Sequence, residues 1–238
     1  MGAYTKHKTM SKTPLPLSYF SLSFVLLSCL SGNPDKKSSL LLDPQQKKHD
    51  TLNFLTDLSP ISENGEVNAV IEIPSGTTDK WELDKSTGEL RWEIIDEKPR
   101  IVNYIGYPGN YGMIPGTILP KEKGGDGDPL DILVLGPPVE RGHVLKCKII
   151  GLLYLSDRGE QDDKLIAVSI GSQMYGINSI DELNQVYKGV TEIVELWFIN
   201  YKGPGKMESK GFGNKKEALD MLTEAIYEYN LRQKEEVL

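Results

Sequence analysis

Two cysteines in 238 residues are too few for a disulfide framework or a cysteine-rich zinc site. Cys147, inside the apolar run VLKCKIIGLLYL, reads as a plain buried thiol. Histidine is nearly as scarce: His7, His49 and His143 are the whole complement, so histidine-zinc chemistry has little to build on. The phosphate-cradling patterns G-x-x-x-x-G-K-[ST] and G-x-G-x-x-G do not occur. Basic charge is in deficit, with 27 Lys and Arg against 34 Asp and Glu and a formal charge of −7. That balance argues against a nucleic-acid surface, which needs a basic excess to displace counterions from phosphates. No internal repeat or long mid-chain linker divides the chain, so one good-sized core is expected.

Acidic residues are missing altogether from residues 1–28, where Lys6, Lys8 and Lys12 precede the uncharged stretch LPLSYFSLSFVLLSC. A basic start followed by an apolar centre is the layout of a secretory signal. The apolar centre falls short of the roughly 20 residues that span a bilayer as a helix. It ends in Leu26-Leu27-Ser28-Cys29, which resembles a bacterial lipobox and makes Cys29 the expected lipidation site. The expected organisation is a signal peptide over 1–28, a flexible tether over 29–50 and a folded domain over 51–238, anchored at the bacterial cell envelope. The alternative is a cytoplasmic protein with an incidental apolar leader. Loss of residues 1–28 removes three lysines and no acid, which leaves 24 basic against 34 acidic residues, a charge of −10.

From residue 67 short strands alternate with turns. VNAVIEIP stops at Pro74, and KWELD and ELRWEII flank the turn signal KSTG as a hairpin. RIVNYIGYPGNYGMIPG, dense in Tyr, Gly and Pro, predicts tight bends. DILVLG, VLKCKIIGLLYL and KLIAVSIG are continuous apolar runs suited to buried strands. Helices come late. Ser179 with Glu182 has capping-box spacing, and Val190, Ile193, Val194, Trp197, Phe198 and Tyr201 form one helical face. Asn214 with Glu217 starts a last helix, striped by Ala218, Leu219, Leu222, Ala225, Ile226 and Tyr229. Strands first and helices afterwards predict an α+β domain, a small closed barrel with helices packed on it.

The chemistry concentrates in acids. GDGDPLDILVLG places Asp126, Asp128 and Asp131 just before a buried strand. A solvated turn explains Asp-Gly-Asp-Pro on its own terms. Clustered carboxylates also repel one another unless a cation joins them, and carboxylate oxygens are what Mg²⁺ takes as ligands. A calcium-binding EF-hand loop is excluded, since counting from Asp126 its fifth, sixth and twelfth places hold Leu130, Asp131 and Pro137. A second acidic group, Asp157 and Asp162 in LYLSDRGEQDDKLIAV, again brackets a turn between strands and is followed by Lys164. Lys80, Arg100, Tyr107, Tyr111, Tyr201 and Lys202 stand on other elements. Acids holding metal, bordered by such donors, suit a phosphate ester or anhydride. A lipid-anchored binder of phosphate compounds or divalent ions fits the same residue types. An oligonucleotide-binding barrel would want a basic and aromatic groove instead.

DGDPLD together with EIPSGTTDKWELD, YPGNYG, DRGEQDDK and NYKG, in matching order and spacing, resembles the family I soluble inorganic pyrophosphatases over residues 50–235. The resemblance implies a five-stranded OB-type β-barrel with helices. It implies Mg²⁺-dependent hydrolysis of pyrophosphate to two orthophosphates, several ions per site, by direct attack of a metal-activated water. Carried across by position, Asp126, Asp131, Asp157 and Asp162 match metal ligands, and Glu72 contributes through the metal-water network. Asp128 matches the carboxylate that positions or deprotonates the attacking water, with Tyr111 beside it in the catalytic group. Lys80, Arg100, Lys164, Tyr201 and Lys202 match phosphate-binding groups, and Glu82 and Tyr107 match supporting positions. A homo-oligomer is also implied. Alignment of Arg100 takes a one-residue shift, and Arg158 stands where bacterial members commonly carry an acid.

Overall fold

The computed structural model describes residues 52–235. The expected signal peptide and the whole of the expected tether, with Cys29, lie outside the described residues. Among the described residues eleven strands and three α-helices follow in chain order, with two short 3-10 helices in the loops. They are β1 (Val67–Ile73), β2 (Trp81–Asp84), β3 (Glu89–Trp92), β4 (Ile94–Ile95), β5 (Lys98–Pro99), β6 (Asn110–Met113), β7 (Asp131–Leu135), β8 (Val144–Asp157), β9 (Glu160–Gln161) and β10 (Lys164–Ser169), then α1 (Ile180–Val186), α2 (Val190–Asn200), β11 (Met207–Gly213) and α3 (Lys215–Glu235).

The sheet closes on itself. β1 pairs with β6, β6 with β7, β7 with β10, β10 with β8, and β8 returns to β1, so the expected five-stranded barrel is present as a ring. All of these pairs are antiparallel except β7 with β10. The 14-residue β8 is long enough to pair with β1 near its start and with β11 and β9 near its end. Both faces of the ring are covered, which explains the unbroken apolar runs. On β7, Leu133 and Leu135 pack into a cluster with α1 and α2, while Ile132 and Val134 join a second cluster with Ala218, Leu222 and Ala225 of α3.

Both predicted helix starts are capped by side chains. Ser179 Oγ accepts from the Glu182 backbone N–H at 3.1 Å, and Asn214 and Glu217 satisfy each other's backbone N–H groups at 2.7 and 3.1 Å. The predicted stripes are slightly too wide: Ile193 and Leu219, at their edges, are exposed. The run ELRWEII is not one strand. It breaks at Glu93, whose N–H donates to Lys80 O and whose carboxylate turns inward to Arg100, and Ile94 and Ile95 form a separate exposed hairpin arm. Strand β11 was not expected between the helices. Its sequence MESKGFG has few apolar residues because the strand lies at the edge and buries chiefly Met207 and Gly213.

Tight approach explains the Tyr-Gly-Asn composition of the bends. Gly112 lies against β1 so closely that a β carbon would sit 1.9 Å from Val70 O. Asn110 is fully buried; its Oδ1 accepts from the N–H groups of Ser75 and Val139 at 3.2 and 3.1 Å, and its Nδ2 donates to Pro137 O at 2.9 Å. One side chain thus satisfies two loops that have no ladder of their own. Gly112→Ala, which must part β1 from β6, is expected to lower unfolding free energy by about 3 kcal/mol, checked by urea denaturation.

Candidate active site

Strand direction brings the two acidic groups to one end of the barrel. Asp131 opens β7 and Lys164 opens β10, and because these strands are parallel with Ile132 opposite Leu165, the two side chains begin next to each other. Lys164 Nζ donates to Asp131 Oδ2 and, at 2.7 Å, to Asp162 Oδ1. Asp157 ends β8 at the same rim, where Lys202 Nζ donates to its Oδ2 at 2.8 Å and lies 3.8 Å from Asp162 Oδ2. Lys164 is buried, which by itself would weaken its charge, yet Asp131 and Asp162 hold its pKa above the ordinary lysine value. Asp157 is held below the usual carboxylate range by the hydrogen bond from Lys202.

Glu72 arrives by a different route. The register of β1 against β6 shifts between Ile71 and Ile73, so Glu72 sits in a bulge that redirects its side chain. Its carboxylate accepts from the Leu83 backbone N–H at 2.8 Å, which ties the β2–β3 hairpin over the cleft. Burial pushes Glu72 up to about 7, although Lys80 acts in the other direction. Lys80 and Glu82, 3.5 Å apart, come from this hairpin. Arg100 follows the β4–β5 hairpin and donates through one guanidinium nitrogen to both Glu93 oxygens at 3.0 and 2.7 Å.

Aromatic packing positions the tyrosines. Trp197 of α2 stacks on Tyr201 at 4.6 Å and meets Tyr107 at 4.2 Å, and Tyr107 lies 5.2 Å from Tyr111. The Trp197 indole N–H is satisfied by Ile105 O at 2.9 Å. Burial holds the Tyr111 and Tyr107 hydroxyls well above the ordinary value, so both stay protonated donors at neutral pH.

These groups line one cleft of about 390 Å³. Of the residues singled out in the sequence, Glu72, Lys80, Glu82, Arg100, Tyr111, Asp128, Asp131, Asp162, Lys164, Tyr201 and Lys202 form its wall. Asp126 and Asp157 stand at its margin, and Tyr107 lies behind Tyr111. Asp126 Oδ1 accepts from the Asp128 N–H at 2.8 Å; partial desolvation and the neighbouring carboxylates of Asp128 and Asp131 raise its pKa. Two contributors were not foreseen. Lys85, in the KSTG turn, reaches across to Asp128. Arg141 donates to Glu72 O at 2.9 Å and lies 4.3 Å over the Trp81 ring, bracing both the bulge and the hairpin. A turn lysine and a loop arginine carry no periodic signal, and only the fold brings them here.

Among the described residues no three acidic, histidine or cysteine side chains already form a metal cage. The donor set nevertheless fits magnesium. That ion keeps several waters and is held by one or two carboxylates with substrate phosphates, so a closed protein cage is not required. Asp157 Oδ1 is buried without a hydrogen-bond partner and faces only the Arg158 guanidinium at 4.0 Å, so this hard oxygen donor is unsatisfied. The charge count points the same way, because the wall carries five carboxylates against five cationic side chains. A polyanion entering a balanced site needs added cations.

The Glu72 shift has a sign that can be measured. Its folded pKa of about 7 exceeds the reference 4.5, so between those values the folded state binds more protons and stability falls as pH rises. In chelated protein, Glu72→Gln is expected to flatten this segment of the stability–pH curve, read by urea denaturation at several pH values; an unchanged slope would locate the effect elsewhere.

Comparison with known proteins agrees with this geometry. Residues 69–230 match the family model described as inorganic pyrophosphatase. The inorganic pyrophosphatase of Xanthomonas axonopodis pv. citri is 36% identical over 170 residues, covering 69% of this chain and 90% of that relative. That of Xylella fastidiosa is 35% identical over 169 residues, with 69% and 89% covered. Among solved structures, the Helicobacter pylori enzyme superposes with a TM-score of 0.61 at 32% identity, covering 73% of this chain and 98% of that one. The type I enzyme of P falciparum gives 0.69 at 25% identity, with coverage of 76% and 64%. The chain belongs to the inorganic pyrophosphatase family.

Proposed function

We propose a division of labour among the cleft residues for the hydrolysis of pyrophosphate to two orthophosphates, the reaction of this family of inorganic diphosphatases. The observation that carries it is the meeting of Asp131 and Asp162 on Lys164 within a cleft that also holds Lys80, Arg100, Tyr201 and Lys202. Magnesium, which the family generally uses, would be held by Asp126, Asp131, Asp157 and Asp162 with help from Glu72, and supplies Lewis acidity that makes water a nucleophile near neutral pH.

The remaining work belongs to side chains. Asp128 faces the cleft from a loop with Asp126 bracing its backbone, and there it orients the attacking water and takes its proton. Lys80, Arg100, Lys164 and Lys202 spread positive charge along the two phosphates and meet the charge that grows on the leaving one. Tyr201 and Tyr111 donate from fixed positions, Tyr201 by its stacking on Trp197 and Tyr111 from within β6. Catalysis is therefore positioning and electrostatics, with no covalent enzyme intermediate. A binder without turnover would have no use for Asp128 beyond the metal ligands and cations.

Phosphate release from pyrophosphate is expected with Mg²⁺ and is lost on chelation. Asp128→Asn is expected to keep metal binding, read by calorimetry, while turnover falls by about 10²-fold or more. Full turnover in that variant would remove the proton-accepting role.

The proposal extends to location and assembly. The lysine-rich, acid-free leader ending at Cys29 supports lipid attachment at the bacterial cell envelope, and the exposed Ile193 and Leu196 on α2 support contact with a second copy in a homo-oligomer. Cys29→Ser is expected to abolish lipid labelling and shift the protein from the membrane to the soluble fraction. A wild-type protein recovered only in the soluble fraction would refute the anchor.

A further inference from the structure

Among the five cations of the cleft wall, four pair with carboxylates other than the proposed proton acceptor. Lys80 pairs with Glu82, Arg100 with Glu93, Lys164 with Asp131 and Asp162, and Lys202 with Asp157 and Asp162. The fifth, Lys85, donates to Asp128 Oδ1 from 43 positions away in the chain. An ammonium on that oxygen stands where an attacking water would deliver its proton. The contact and the chemistry compete for one atom.

The backbone is fixed at both ends of this contact. On the β2–β3 turn, Asp84 O accepts from the N–H groups of Thr87 and Gly88 at 3.2 and 2.7 Å, and Asp84 Oδ1 accepts from the Ser86 N–H and hydroxyl at 2.9 and 2.6 Å. The Phe54 N–H donates to Gly88 O at 2.8 Å, which ties the tip of the hairpin to the segment before β1. Opposite it, the Asp128 N–H donates to Asp126 Oδ1 and Asp128 O accepts from the Leu119 N–H at 2.9 Å. What can turn is the four-carbon stem of Lys85. Its side chain is 56% exposed against 2% for Lys164, and an ion pair in such contact with water is weakly held. A phosphoryl group carries more charge than one carboxylate and makes stronger charge-assisted hydrogen bonds. A water held by Asp128 for attack lies about 3 Å from phosphorus, so an ammonium at Asp128 needs only a short swing to reach the oxygens of that group.

We propose that Lys85 is a further pyrophosphate-binding residue, which occupies Asp128 while the cleft is empty and exchanges that carboxylate for a phosphate oxygen when substrate enters. The inference rests on the pyrophosphatase reading of the cleft. The exchange makes and breaks no covalent bond and moves no proton. It bares Asp128 Oδ1 only when a phosphoryl group is present to be attacked.

The test uses the full chain with Mg²⁺. Binding is read by calorimetry with methylenediphosphonate, a pyrophosphate analogue whose P–C–P bridge water does not cleave, and turnover by phosphate release from pyrophosphate. Lys85→Met is expected to weaken the analogue and raise KM by about fivefold, roughly the worth of one exposed charge contact. Its kcat is expected to stay within about twofold, because a contact made equally in ground and transition states acts on KM alone. Lys85→Arg, which keeps the charge, is expected to recover most of the lost affinity. In an Asp128→Asn background Lys85 has no carboxylate to leave, so Lys85→Met is expected to cost about twice as much analogue affinity there as in wild type, or more. Unchanged affinity and KM in Lys85→Met would overturn the proposal. So would a fall in kcat at constant KM, or a loss that vanishes in the Asp128→Asn background, since either means that Lys85 stays on Asp128 and acts through it. Equal losses in the Met and Arg variants, the mark of a disturbed hairpin, would overturn it as well. Failure of the pyrophosphatase reading shows separately, as no phosphate release from pyrophosphate by the wild-type protein with Mg²⁺.

Discussion

A buried ammonium held between two carboxylates sets the terms for this molecule. Lys164 has only 2% of its side chain exposed, and a lone charge at that depth would be strongly unfavourable, so it needs anionic partners, which Asp131 and Asp162 supply. Because Asp131 and Lys164 begin parallel neighbours β7 and β10, the charge cluster also pins the one parallel seam of the ring. Asp162 brings in the β9 turn, and Lys202 links Asp157 to the same group. Barrel end, turn and helix terminus are thereby joined through ionic contacts that a phosphate-bearing ligand with divalent ions can exchange for its own.

Around this cluster the apolar structure acts as a frame. Trp197 is the hub: it packs against Tyr107, Phe198 and Tyr201, and its indole nitrogen ties α2 to the loop at Ile105. Tyr201 can therefore belong to a helix's apolar face and still present its hydroxyl at the cleft wall. Opposite it, Arg141 and the Glu72–Leu83 hydrogen bond brace the β2–β3 hairpin. The most exposed cation of the cleft wall, Lys85, stands on a turn, while Lys164 at the barrel end is buried.

Much of this is legible in the sequence. Continuous apolar runs marked β7, β8 and β10 because both of their faces are covered, and the pairs Ser179/Glu182 and Asn214/Glu217 marked helix starts because capping is a local interaction. Edge strand β11 was not legible, since only two of its seven residues are buried and its pairing partner is distant in sequence. The break at Glu93 was hidden for a related reason: an inward ion pair to Arg100 interrupts a strand whose composition alone favours continuation. At the site, the aspartates stood out because like charges crowd together in the chain. Lys85 and Arg141 did not, since single cations in turns are commonplace and acquire meaning only through what the fold sets opposite them.

The ring has a seam that matters for how the protein comes into being. β1 is joined to β8 by pairs such as Val67 with Cys147, and the Cys147 thiol points to Val67 O across 80 positions of chain. Loop-closure entropy makes such distant pairing a late and slow event. During synthesis Asp131 emerges before Lys164, its counter-ion, and Asp157 and Asp162 emerge before Lys202, so the ionic cluster at the rim is completed only after the last of these strands and α2 have formed. Competence of the catalytic rim is therefore an all-or-nothing property of the finished ring, and a truncated or half-folded chain has no weakened version of it.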